Sequence, residues 1–149
     1  MPKASVTRLI ECKKDQLIDL VLDIEKYPEF VPFCLGSRVY ERNTEGNQTL
    51  IIADLTIGKG PFKDTYKSDV QFNKKTNIIN VTNIGGPLRH LENNWKFLES
   101  DNGTEIFFDI DFEIENKFLN IVMTKSFQYG LNKIADAFQK RALDLYQSI

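Results

Sequence analysis

From Asn116 to Ser148 the chain runs without a proline, and its apolar residues return at three- and four-residue steps: Leu119, Met123, Phe127, Leu131, Ile134, Ala135, Phe138, Ala142 and Leu145. That spacing places them on one stripe of an α-helix. Asn120, Lys125, Gln128, Asn132, Lys133, Asp136, Gln139, Lys140 and Asp144 fall between them and are expected to face water. At ~1.5 Å per residue such a helix spans roughly 45 Å, longer than most globular helices. One apolar stripe of that length needs one large partner surface, and the rest of the chain must supply it.

The upstream sequence reads as strands able to do so. Val6, Arg8, Ile10 and Cys12 alternate with Thr7, Leu9 and Glu11, as a first strand would. The period then changes over Lys13 to Glu25, where Leu17, Ile18, Val21, Leu22 and Ile24 share a helical face and Asp15 suits the first turn. Pro28 and Pro32 end that helix and make Tyr27 to Cys34 a compact, aromatic-rich corner.

Strands are expected over Arg38–Asn43, Gln48–Ile57, Phe62–Phe72, Ile78–Ile84, Arg89–Leu98 and Glu105–Glu115. Turn-rich stretches separate them, with Asp101-Asn102-Gly103 the strongest hairpin signal. In the last strand Ile106, Phe108, Ile110, Phe112 and Ile114 alternate with Phe107, Asp109, Asp111, Glu113 and Glu115. One face is therefore buried and the other wet. Strands gathered in one run predict an α+β fold with an antiparallel sheet rather than βαβ units. No linker, repeat or low-complexity tract interrupts the chain, so residues 1–149 are expected to form a single domain.

Several function classes lose ground on composition. A net charge of -2 gives no general pull toward nucleic acid, so DNA is not expected as a partner. The opening Met1-Pro2-Lys3-Ala4-Ser5 lacks the succession of a signal peptide, and nowhere do 18 apolar residues follow one another. Cys12 and Cys34 are then expected as reduced small hydrophobes in the cytoplasm, and the Asn-X-Ser/Thr triplets as chance. One histidine and two separated cysteines argue against a zinc site.

No motif assembles a catalytic group. Gly58-Lys59-Gly60 lacks the continuation of a phosphate-binding loop and reads as a hairpin turn. His90 has the residue type of a general base but reads first as a strand histidine beside Arg89. Asp109 and Asp111 share a face, but it is the wet one. The aromatic residues read first as core. Equally, aromatic side chains along a concave sheet suit an apolar ligand, because such pockets are mostly apolar with few polar groups.

Three stretches carry a family resemblance: Tyr27-Pro28-Glu29-Phe30-Val31-Pro32-Phe33-Cys34, Gly86-Pro87-Leu88-Arg89-His90-Leu91-Glu92-Asn93-Asn94-Trp95-Lys96-Phe97, and Ala137-Phe138-Gln139-Lys140-Arg141-Ala142. Together they resemble the coenzyme Q-binding protein family of the START-like superfamily. Bacterial members of that family are described as ribosome-association toxins or oligoketide cyclases. The resemblance implies a helix-grip fold: a curved seven-stranded antiparallel sheet around the carboxy-terminal helix, two short helices after the first strand, and a hydrophobic tunnel between sheet and helix.

It also implies a ubiquinone-like isoprenoid lipid as ligand, no catalytic cofactor, and support of respiratory electron transport or quinone synthesis. A carrier of such a ligand is expected to meet a membrane surface transiently. It would then be peripheral at the inner membrane, on the matrix side in a mitochondrion. Inward-facing positions nominate the ligand contacts. These are Tyr27, Phe30 and Phe33 in the corner, Tyr66, Trp95, Phe108 and Phe112 on strands, and Phe118, Met123 and Phe127 on the long helix.

Two alternatives stand beside the carrier. A toxin binding a ribosomal subunit would need Lys13, Lys14, Lys59, Lys63, Lys67, Lys74 and Lys75 to come together as a patch. A polyketide cyclase would need His90, Tyr66 and Tyr129 to serve acid–base chemistry inside the cavity.

Overall fold

The alternating segments pair consecutively, each hairpin laying its strand beside the last, and the first strand closes onto the seventh. In the computed structural model, which describes residues 3–59, 62–85, 88–114 and 117–146, the strands form one antiparallel sheet. At positions 59, 62, 85, 88, 89, 112, 114 and 117–127 the description covers the backbone alone. The strands are β1 (Lys3–Ile10), β2 (Cys34–Glu45), β3 (Gln48–Lys59), β4 (Phe62–Asn73), β5 (Ile78–Gly85), β6 (Leu88–Ser100) and β7 (Gly103–Ile114). Their order across the sheet is β1-β7-β6-β5-β4-β3-β2. The helices are α1 (Lys14–Leu22), α2 (Tyr27–Phe30) and the long α3 (Lys117–Tyr146).

The turns follow local chemistry. Gly46 (φ +61) leads a two-residue loop between the paired Glu45 and Gln48, where the first loop position needs positive φ. In the β4–β5 turn Lys75 N–H donates to Asn73 Oδ1 at 2.9 Å, and Asn77 takes the left-handed conformation (φ +59). The hairpin expected at Asp101-Asn102-Gly103 forms, but its glycine serves a different purpose. Gly103 (φ +134) lies against β1's end, where a Cβ would stand 2.2 Å from the Ile10 carbonyl oxygen.

The helix expected over Lys13–Glu25 is shorter. Asp23 (φ -84, ψ 65) leaves helical geometry, a 3₁₀ turn covers Ile24–Lys26, and α2 begins at once. Pro28 sits in α2's first turn, where its missing N–H breaks no bond. The corner is thus helical, held by the Tyr27 hydroxyl donating to the Val21 carbonyl.

The helical stripe packs as expected over its described part. Leu131, Ala135, Phe138 and Ala142 are buried, while Gln128, Lys133, Asp136 and Lys140 are exposed. Leu145 departs from the expectation: it is exposed, and the stripe continues instead through half-buried Tyr146, four residues after Ala142. On the inward face of the sheet Ile51, Ala53, Ile79 and Phe97 are sealed from solvent. Polar ties fix α3, among them Arg8 to Asp136 at 2.6 Å, Gln128 to the Ser5 carbonyl at 3.1 Å, and Arg141 to Glu29 at 2.8 Å.

Candidate functional site

In an antiparallel ladder, directly opposed residues share a face, so the register assigns the inward-facing side chains. Ile51, Ala53 and Leu55 of β3 share the inward face; opposite them lie Val70, Ser68 and Tyr66 of β4. On the other side of β3, Ser37 and Val39 oppose Leu55 and Ala53. Along β6 the inward positions are Leu91, Asn93, Trp95 and Phe97, and along β7 they include Ile106, Phe108 and Ile110.

This face divides into two regions. Under the second half of α3 it is closed. Phe138 meets Tyr27, Phe30 and Trp95 edge-on at 5.4, 5.1 and 5.1 Å, and Trp95 stacks on Phe108 at 4.0 Å. The gap left among Val6, Trp95, Phe108 and Phe138 is about 10 Å³, at most one water's space. Toward the α2 corner and the β3–β4 turn the face is less sealed. Leu55, Ile57, Tyr66, Asn83 and Phe33 are half-buried, whereas Ile51 and Ala53 two turns of the pleat away are fully buried.

Four expected ligand contacts are therefore brought together in one aromatic cluster: Tyr27, Phe30, Trp95 and Phe108. Trp95 and Phe108 are bound up in closed packing, and Tyr27 and Phe30 link the corner to it. Tyr66 and Phe33 lie in the less sealed region. Phe33 (φ +68) reaches toward α3, where a Cβ on Gly130 would stand 3.9 Å from its ring. The side chains of Phe112, Phe118, Met123 and Phe127 lie outside the described residues.

The half-sealed region carries a polar group that sequence reading passed over, Ser37, beside the expected Tyr66 and Tyr27. Ser37 lay one residue before the expected start of its strand; the observed strand begins at Cys34, which puts Ser37 in the alternation beside Val39. Burial pushes the Tyr66 phenol well above its ordinary value, with the nearby Cys34 sulfur adding to the shift. The Tyr27 phenol is raised in the same way, first by burial and then by Tyr66 and Cys34. Both phenols are thus neutral hydrogen-bonding groups. Cys34 is a buried free thiol whose pKa burial also raises.

The remaining acid–base candidates are elsewhere. His90 lies on the outer face with Nε2 3.8 Å from Asp111 Oδ2, which also meets Lys3 at 3.7 Å. Tyr129 is exposed on α3, with Lys133 over its ring. His90, Tyr66 and Tyr129 consequently do not meet. Asp109 and Asp111 line an open groove of about 530 Å³ along β1, β7 and β6, which Gln128 of α3 also lines; Asn94 donates to Asp109 at 3.1 Å. Among the described residues no helix is long and apolar enough to cross a membrane, and no three His, Cys, Asp or Glu side chains are placed to hold a metal.

The lysines do not form one patch. Lys63 opposes Gly58 at one end of β4, and Lys74 and Lys75 sit in the turn at the other, roughly 35 Å away at ~3.3 Å per residue. Lys14 is paired with Glu99 at 3.1 Å, and Lys67 lies over the Tyr40 ring.

A curved antiparallel sheet gripping one long terminal helix is the START-like helix-grip architecture. A START superfamily protein from Mycobacterium smegmatis has the same fold, with a TM-score of 0.79 at 19% identity, covering 96% of this chain and 98% of that one. The chain belongs to the family described as polyketide cyclase / dehydrase and lipid transport, whose model matches residues 10–139. Among its relatives are the ribosome association toxin RatA of Escherichia coli, 31% identical with 99% of this chain and 91% of the toxin covered, and the mitochondrial coenzyme Q-binding protein COQ10 of Dictyostelium discoideum, 30% identical with 96% and 70% covered.

Proposed function

We propose that this protein holds an isoprenoid quinone, or a lipid like it, between the concave face and α3, and works as a non-enzymatic carrier that collects its ligand at a membrane surface. The observation that carries the reading is the change along the concave face. Its inward residues pass from fully buried at Ile51 and Ala53 to half-buried at Leu55, Ile57 and Tyr66. An apolar, partly open lining of this kind matches ligands bound through buried area, at ~25 cal/mol per Å². Similarity to COQ10 over nearly the whole chain supports a quinone as the ligand class. The separation of His90, Tyr66 and Tyr129 argues for binding without acid–base chemistry.

Native mass spectrometry with organic extraction tests this on protein purified from its own host. A stoichiometric quinone or polyprenyl lipid is the expected result. A protein that is empty and takes up no quinone from vesicles removes the reading.

Similarity to RatA over 99% of the chain favours a second reading, association with a ribosomal subunit. The divided lysines weaken it, since subunit RNA is met mainly through clustered cations. Salt-sensitive co-sedimentation with separated subunits distinguishes the two.

A further inference from the structure

Nearly every polar side chain buried on the concave side has a partner. Ser68 Oγ donates to the Ala53 carbonyl at 3.3 Å, and Thr104 Oγ1 to the Cys12 carbonyl at 2.9 Å. Asn93 donates to the Asp109 carbonyl at 2.9 Å and accepts from Trp95 Nε1 at 3.0 Å. Asn83 Oδ1 accepts the Leu91 N–H at 2.9 Å. Ser37 is different. Its Oγ is fully buried and has no hydrogen-bond partner among the described residues. The other unpaired buried atoms, Asp111 Oδ1 and Arg141 Nε, belong to groups already paired through a second atom; the Ser37 hydroxyl has no second atom.

A buried hydroxyl without a partner costs about 1–3 kcal/mol, so natural folds rarely keep one. Ser37 lies in one row with a second inward hydroxyl, that of the half-buried Tyr66. Leu55 opposes Ser37 on one side and Tyr66 on the other, so the three form one inward row across β2, β3 and β4. At ~4.8 Å between strands, Ser37 and Tyr66 stand about 10 Å apart at their Cα atoms. No hydrogen bond from the Tyr66 hydroxyl occurs among the described residues.

We propose that Ser37 and Tyr66 are the polar end of the interior site, donating hydrogen bonds to the oxygen atoms of an uncharged head group whose apolar tail lies along the lining. The assignment rests on the interior-ligand reading above and narrows its chemistry. Two neutral hydroxyls with apolar Leu55 between them suit carbonyl or ether oxygens on a flat ring. They do not compensate a buried carboxylate or ammonium, which would need an opposite charge. Asp64, opposite Ile57 and one step nearer the rim on the same face, is exposed and repels an anionic head group. The tail confers affinity through area and the hydroxyls confer selection, because a site built to hydrogen-bond a ligand discriminates against an analogue without the bonding atoms.

Two probes with the same tail test it: a decyl-substituted benzoquinone and decylbenzene, bound to the wild-type chain, Ser37→Ala and Tyr66→Phe. The wild type is expected to hold the quinone at least tenfold more tightly than the hydrocarbon. Each variant loses about threefold to tenfold for the quinone, one hydrogen bond's worth, and nothing for decylbenzene. Ser37→Ala keeps or raises the thermal midpoint, since it removes a buried group that has no protein bond to lose. Unchanged quinone affinity in both variants overturns the head-group assignment and leaves the carrier reading standing. Equal loss of both probes also overturns it, because the change then lies in pocket shape. Failure of the quinone to bind the wild type removes the carrier reading and this assignment together.

Discussion

Arg141 of α3 donates from Nη2 to Glu29 Oε1 at 2.8 Å while its guanidinium lies 5.0 Å over the Phe30 ring. One side chain thus holds both the polar and the apolar face of α2. The bond to Arg141 keeps the Glu29 carboxyl below the ordinary glutamate range, with Lys26 contributing. A carboxyl with a depressed folded pKa stabilises above its unfolded pKa of ~4.3 and loses that contribution as pH falls through the folded value. The corner is therefore expected to loosen below about pH 4 before the core does. Hydrogen exchange at residues 27–30 across that range checks it: Glu29→Gln should show faster exchange at neutral pH and no further acid dependence.

Phe138 is the ring on which the closed half of the concave face converges, meeting Tyr27, Phe30 and Trp95. Phe138→Ala is expected to cost about 3–5 kcal/mol, the range for deleting a buried aromatic ring. Urea unfolding measures it, and a loss under about 1 kcal/mol would show that the cluster rearranges freely.

Burial holds the Tyr27 and Tyr66 protons on, with each phenol's pKa above the ordinary ~10. A raised folded pKa means stability present below the unfolded value and lost as pH rises past it. Stability should decline above about pH 10. Ultraviolet titration should show part of the tyrosine absorbance change arriving only with unfolding, and that part should shrink in Tyr66→Phe.

Two glycines should respond oppositely to alanine. At Gly103 the conformation (φ +134) and the Ile10 carbonyl 2.2 Å from a Cβ leave no room, so Gly103→Ala should cost at least about 1–3 kcal/mol. Gly130 lies within α3, and among the described residues a Cβ there meets only the Phe33 ring, at an ordinary contact distance of 3.9 Å. Gly130→Ala should therefore stabilise by about 0.5–1 kcal/mol through helix propensity. Thermal midpoints of the two variants give the comparison directly.

The same local rules explain which parts of the fold are legible in the sequence. Period 3.6 marked α3 and period 2 marked the strands, because each is set by which neighbours one chain segment puts on one face. The role of each aromatic residue was not legible. Trp95, Phe108 and Tyr66 look alike in alternation, yet two are in closed packing and one is half-buried, because coverage depends on which distant elements pack over each strand. Ser37 was missed for a related reason: its facing is fixed by register with Leu55, a pairing across strands. Pro28, expected only to end a helix, also starts one, since a proline fits a first turn as well as it ends a preceding helix.

Leu55 lies between Ser37 and Tyr66 and is half-buried, so added bulk there would occupy space where a ligand is proposed to lie rather than displace packed core. Leu55→Trp is expected to abolish co-purifying lipid. Overfilling a closed core commonly costs about 1–3 kcal/mol, so a stability change under about 1 kcal/mol would mark the site as open space. Extraction of the purified variant reads the first quantity and urea unfolding the second. A variant that is strongly destabilised and still carries lipid would place the ligand elsewhere along α3.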